Sequence, residues 1–204
     1  MYCFWNRQAF GRVHRIKWNI IKMEEKRIFK VTKSKTVHIV TIVVWIIITV
    51  LCLFILWQGI KHPIGLLIVV PIVVPILAIV ISVLVYYYRQ SPQYIELTDD
   101  ALVLHCMTGY KVFRYEEIVE VGKWQGNPSR LLRQWGSGGF GGYIGWFSGG
   151  GLGSHFEYVG QYQDAFYLKK CKGKPYMLSC EDPERVVRYI KCIIDRNGIW
   201  KENM

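Results

Sequence analysis

The sequence predicts a two-helix transmembrane hairpin followed by a mainly-β domain. Three observations carry that reading. Residues 37–57 and 64–88 are two apolar runs without Asp, Glu, Lys or Arg, and at 1.5 Å per residue each helix is long enough to cross roughly 30 Å of hydrocarbon. Only residues 58–63 separate them, which is a tight turn. From residue 92 the pattern changes to six or seven short alternating segments and one closing amphipathic helix, the outline of a small barrel or sandwich with a plugged end.

Lipid explains why the first run is a helix despite its many Ile and Val: an open strand there leaves its amides unpaired. In the second run Pro71 and Pro75 each remove a donor, so a bend is expected. The absence of intramembrane ionisable residues makes the pair a poor transport path and favours an anchor. Tyr86, Tyr87 and Tyr88 mark one interface and Trp57 the other.

Charge sets the expected orientation. Residues 1–36 hold ten Lys/Arg against Glu24 and Glu25, whereas residues 90–204 hold fourteen against thirteen Asp/Glu. The formal net charge of +11 thus sits mostly on the leader, which argues against nucleic acid as a partner. The juxtamembrane basic residues Lys26, Arg27, Lys30, Lys33 and Lys35 precede the first run, Lys61 lies in the turn, and Arg89 follows the second. The positive-inside rule places both termini in the cytoplasm. Residues 1–36 read as a basic cytoplasmic leader, partly disordered. Its first 21 residues are open to an interfacial amphipathic segment, an unordered leader, or a true start at Met23.

The β-rich part, residues 92–198, opens with strands at 94–97, 101–106, 110–115 and 118–121, separated by Thr98-Asp99-Asp100, Met107-Thr108-Gly109 and Glu116-Glu117. Residues 135–153 follow as a glycine-aromatic segment: Trp135, Gly136, Gly138, Gly139, Phe140, Gly141, Gly142, Tyr143, Gly145, Trp146 and Phe147 lead it. It lacks the GK[ST] ending and strand-loop-helix setting of a nucleotide cradle. So many large apolar side chains do not suit a free linker; tight turns with aromatics tucked into the domain or against the membrane do. Strands resume at 155–159, 165–171 and 174–180. A helix at 183–196 starts from Asp182 as N-cap and Pro183 at the first position. Val186, Val187, Ile190, Ile193 and Ile194 form its apolar stripe, and Gly198 ends it.

Catalysis finds little support. Ser154, His155 and Asp164 supply triad residue types, but neighbours on a strand face opposite ways; the same holds for Glu116 and Glu117. His105 and Cys106 form only one small ligand group, so no metal and no cofactor is expected. The six cysteines contain no CxxC pair and read as free thiols.

The segments YIELTDDALVL, FRYEEIVEV, RLLRQWGSGGFGGYIGWF, LGSHFEYVG and YMLSCEDPERVVRYI, spanning about residues 94–191, resemble the bacterial pleckstrin-homology-like domains, especially those carried behind two membrane helices. The resemblance implies about seven antiparallel strands in a bent sheet or partly open barrel with a C-terminal capping helix, in a multi-pass protein of the bacterial cytoplasmic (inner) membrane. It implies no defined activity, and PH-like folds host lipid, peptide and protein contacts alike.

The expected function is a membrane-tethered, non-catalytic binding or scaffolding module contacting the lipid bilayer, its anionic headgroups or a membrane protein partner, self-association included. Lys169, Lys170, Lys172 and Lys174 around Gly173 form one contact set. Arg114, Lys123, Arg130 and Arg133, with Tyr110, Phe113 and Trp124, form a second. The alternative is a structural subunit of a larger membrane complex, assembled through helices that carry Thr41, Thr49, Gly65 and Ser82.

Overall fold

The computed structural model describes residues 27–61 and 63–196. The leader before them, with Cys3 and Lys26, and Gly198 after them lie outside the described residues. The elements run β1 (Ile28–Lys30), α1 (Lys35–Lys61), α2 (Pro63–Arg89), β2 (Pro92–Leu97), β3 (Ala101–Cys106), β4 (Tyr110–Arg114), β5 (Ile118–Lys123), β6 (Leu131–Gly138), β7 (Tyr143–Gly149), β8 (Ser154–Val159), β9 (Ala165–Lys170), β10 (Tyr176–Ser179) and α3 (Pro183–Arg196).

These strands form two sheets. One is antiparallel, in the order β1-β2-β3-β4; the other runs β5-β9-β10-β8-β7-β6. Alternation assigns the faces. Ile95, Leu102, Leu104 and Phe113 of the first sheet meet Ile144, Phe166, Leu168 and Leu178 of the second in one core. The stripe Val186, Val187, Ile190 and Ile194 of α3 closes it. Asp182 Oδ1 accepts the Arg185 N–H at 3.1 Å, capping that helix. A smaller cluster on the opposite face of the second sheet holds Trp124, Val159, Ala165 and Met177.

Two expectations are corrected here. The fold is not seven antiparallel strands in a bent sheet or partly open barrel. Among the described residues it has ten strands in two open sheets, and β8 and β10 are parallel, with Tyr176 opposite Phe156 and Leu178 opposite Tyr158. The parallel pair arises because β9 is laid down beyond the neighbouring position and the β9–β10 hairpin folds β10 back into the gap beside β8. The three strands added to the expected set are β1, β6 and β7.

The two-pass anchor is corrected as well. Among the described residues one helix, Lys35–Gly59, is long and apolar enough to cross a membrane. In α2 the apolar stretch among the described residues is Val73–Arg89, which at 1.5 Å per residue falls short of roughly 30 Å. The multi-pass inner-membrane placement falls with it, and both termini, expected in the cytoplasm, lie outside the described residues. The helices leave from and return to one sheet: β1 before α1 pairs with β2 after α2, setting Ile28 opposite Glu96 and Lys30 opposite Tyr94.

In the β6–β7 ladder Gly136 faces Gly145. Their φ angles are +131° and +137°. A Cβ at Gly136 would fall on the Ile144 carbonyl oxygen, and one at Gly145 on that of Trp135. Gly136→Ala or Gly145→Ala is expected to cost about 3 kcal/mol, read as a lower melting temperature of the purified full chain. Gly151→Ala, at φ +83° with open space around it, is expected to cost about 1 kcal/mol. Equal losses at all three sites would refute the close-approach argument.

Candidate functional site

The tips of the strands sort into two ends. The Ser34 N–H donates to the Gly160 carbonyl at 3.0 Å, and the Gly160 N–H to Ser179 Oγ at 2.8 Å. The finishing ends of β8 and β10 therefore meet the foot of α1. β9 is antiparallel to β10, so Lys170 and the turn that follows it lie at the opposite end of the sheet.

This places the first lysine set away from the helices. Three of its members have partners. Lys169 Nζ lies 2.7 Å from Glu120 Oε2, and Tyr167 donates to Glu120 Oε1 at 2.6 Å. The Lys169 and Tyr167 hydrogen bonds hold the Glu120 carboxyl below its usual range. Lys170 pairs with Glu117 at 3.0 Å. Lys174 donates to Ser154 Oγ at 3.2 Å, with its ammonium 4.6 Å from the centre of the Trp146 ring. Lys172 is exposed beside Gly173.

The second set is dispersed. Arg114 pairs with Glu116 at 3.4 Å and Lys123 with Glu184 on α3 at 2.8 Å. Arg130 sits in a 3-10 turn, Pro128–Arg130, where Asn127 Oδ1 accepts the Ser129 N–H. Arg133 lines an open cleft with Ser129, Leu131, Gly138, Tyr143, Phe147 and Tyr162. Phe113 and Trp124 are buried, and Tyr110 is exposed. Of the juxtamembrane residues, Arg27 pairs with Asp99 at 3.2 Å. Lys30 belongs to β1, Lys35 opens α1 and Arg89 closes α2. Lys33 is half-buried, and burial lowers its ammonium pKa.

The glycine-aromatic segment is a β-hairpin whose tip is seated on the helices. The Phe140 ring lies 6.2 Å from Trp45 of α1 and 6.1 Å from Tyr88 of α2, centroid to centroid, and is 6% exposed. The Gly141 N–H donates to Thr41 Oγ1 at 3.1 Å, and its carbonyl accepts from Ser91 Oγ. Ser137 Oγ donates to the Phe140 carbonyl at 2.8 Å and closes the turn. Trp135 stands exposed on the edge strand β6.

Sequence reasoning missed a buried polar network. His155 and Glu157, both 0% exposed, lie two apart on β8 and so share a face. His155 Nε2 is 2.9 Å from Glu157 Oε1, its Nδ1 is 2.9 Å from the Gly153 carbonyl oxygen, and Tyr162 donates to Glu157 Oε2 at 2.8 Å. Both ring nitrogens face oxygen atoms, an arrangement that suits an imidazolium beside a carboxylate. Burial alone would lower the His155 pKa; the Glu157 and Gly153 hydrogen bonds and the Glu157 charge outweigh it and hold it above the ordinary value of 6.5. The His-x-Glu spacing on a strand was the available signal. Ser154, the other neighbour of His155, bonds Gln134 and Lys174 instead.

A raised imidazole pKa means that the folded form binds the proton more tightly than the unfolded one. Its stabilisation is complete below pH 6.5 and fades as pH rises through the raised value. Melting temperature should therefore fall from pH 6 toward alkaline pH. Glu157→Gln should remove about 3 kcal/mol at pH 6 and flatten that part of the profile. A profile unchanged in the variant would rule out the pair as its source.

No group of three or more His, Cys, Asp or Glu able to hold a metal occurs among the described residues. Comparison with curated proteins and with solved structures returns no match. A family model does match, but it begins after α2 and covers neither helix; the expected kinship with the type carried behind two membrane helices is corrected by the single crossing-length helix. Residues 93–193, from β2 into α3, match the family described as Bacterial PH domain.

Proposed function

We propose that the chain is a membrane-tethered binding module, held to a bilayer by α1 and presenting the domain of residues 92–198 at the lipid surface. The observation that carries this reading is the exposure of α1. Trp45, Ile46, Ile47, Val50, Leu51, Leu53 and Phe54 are all exposed, and none of its most apolar stretch is buried against the chain. A core helix of a water-soluble domain hides one face. Here each large aliphatic side chain forgoes about 1.5–3 kcal/mol unless something apolar surrounds it.

Lipid accounts for that cover better than a partner subunit. Thr41, Thr49 and Ser82 donate to the carbonyls of Val37, Trp45 and Ala78, each four residues back in its own helix. Their hydroxyl protons are thereby satisfied without a neighbouring helix. Gly65, the remaining small position, lies where side chains are not described.

The test is alkaline carbonate extraction of membranes from cells expressing the full chain. The protein is expected in the pellet. Ile46→Lys with Ile47→Lys places two charges near the middle of α1, at about 2.5–3.5 kcal/mol each, and is expected to shift most of the protein out of the carbonate-resistant fraction. Release of the unaltered chain by carbonate would overturn the proposal.

A further inference from the structure

The turn between β3 and β4 is tied to the end of α2. The Met107 N–H donates to the Ser91 carbonyl and the Thr108 N–H to the Arg89 carbonyl, both at 2.9 Å. The turn therefore has a fixed height relative to the helices. Met107, at its start, is 47% exposed, and Tyr110, just after it, is 66% exposed.

That height follows from α1. From Thr41 to Gly59 the helix rises about 27 Å, slightly less than the roughly 30 Å of hydrocarbon it must cross. The boundary of the hydrocarbon then lies near Ile39 to Thr41. The hairpin tip is at this level, because Gly141 bonds Thr41 and Phe140 packs against Trp45. Tyr88 packs on the other side of Phe140 and shares it. Arg89 is the next residue, about 1.5 Å further along its helix, and the β3–β4 turn bonds to its carbonyl. The turn thus falls in the headgroup layer.

The chemistry at that level suits the headgroup layer. A Met side chain is apolar and flexible. Tyr has an apolar ring and a polar tip and favours membrane interfaces. Arg89 and Lys111 are exposed beside them, with no ion-pair partner among the described residues. The four lysines around Gly173 stand at the other end of the sheet.

We propose that the β3–β4 turn is a second membrane contact, in which Met107 and Tyr110 enter the headgroup layer beside α2 while Arg89 and Lys111 face the phosphates of anionic lipid. This rests on the reading that α1 spans the bilayer.

The test reconstitutes the full chain into vesicles of phosphatidylcholine with phosphatidylglycerol, doped with a lipid carrying a photoactivatable diazirine near the glycerol. Adducts are mapped by peptide mass spectrometry. Adducts are expected on the α1 peptide and on the peptide containing Met107 and Tyr110, with none on the peptide of residues 169–174. Met107→Ser with Tyr110→Ser is expected to cut the second adduct at least fivefold and leave the first unchanged, with the same melting temperature because both side chains are exposed. Vesicles of phosphatidylcholine alone should reduce the second adduct about threefold. An adduct on α1 alone overturns the second contact and leaves the tether. Adducts at 169–174 in place of 107–110 overturn the assignment of the facing end. No adduct on α1 removes the tether itself. Indifference to phosphatidylglycerol overturns the role given to Arg89 and Lys111.

Discussion

The seat of Phe140 between Trp45 and Tyr88 is the interaction on which the arrangement of this chain depends. A long apolar helix joined to a small domain by a few residues would otherwise swing about its foot. Two devices prevent that. β1 and β2 pair across the helical excursion, so both feet stand in one sheet. The β6–β7 tip then wedges between the helices and bonds Thr41 and Ser91. The wedge needs a backbone that turns within a few residues and carries one large ring. Gly141, at φ +71° with Tyr88 and Ser91 close around it, supplies the first and Phe140 the second.

Rigid seating turns strand direction into height above the helices. Gly138, Tyr143, Gly160 and Ser179 sit low; Lys170, Lys174 and Ser154 sit high, because the ladders join them in that order. Functional surfaces are then divided by level, not by which residues carry the most charge. The lysine cluster, the most basic feature of the domain sequence, is far from the helices, and two of its four members are spent on Glu117 and Glu120. The low end is less charged, yet it exposes Met107 and Tyr110 together with Arg89 and Lys111, which have no ion-pair partner among the described residues. Coulomb attraction between exposed charges is screened beyond about 8–10 Å in physiological salt, so proximity decides which of these groups act on a surface.

How legible this was depends on what side chains each element carries. Leu102 and Leu104 alternate with Val103 and His105, and β3 lies where that alternation puts it. Asp182, Pro183 and the Val186–Ile190–Ile194 spacing point to α3 for the same reason. The pattern is silent in β6 and β7: Gly136, Gly138 and Gly145 have no side chain to alternate, so two strands read as a string of turns. β1 is three residues in a charged stretch, too short for a period, and its pairing with β2 spans both helices. The parallel β8–β10 register is set by strand placement, which local pattern does not encode. Glu157 is legible only through the strand period, which pairs His155 with the residue two along and not with its immediate neighbours.

The buried His155–Glu157 pair is intelligible as the counterpart of those glycines. Residues 149–153 form a loop with a single side chain large enough to pack, Leu152. A loop so poor in side chains has little apolar surface to hold it against the sheet; its carbonyls are what remain. Trp124 Nε1 donates to the Gly150 carbonyl at 3.1 Å, and His155 Nδ1 bonds that of Gly153 at 2.9 Å. An imidazolium can donate at both Nδ1 and Nε2, and a carboxylate at Glu157 offsets its charge in a buried site. Tyr162 then satisfies the second carboxylate oxygen. The glycine-rich segment that seats its tip between the helices thus ends in a second run of glycines, Gly149–Gly151 and Gly153, which Trp124 and His155 hold in place.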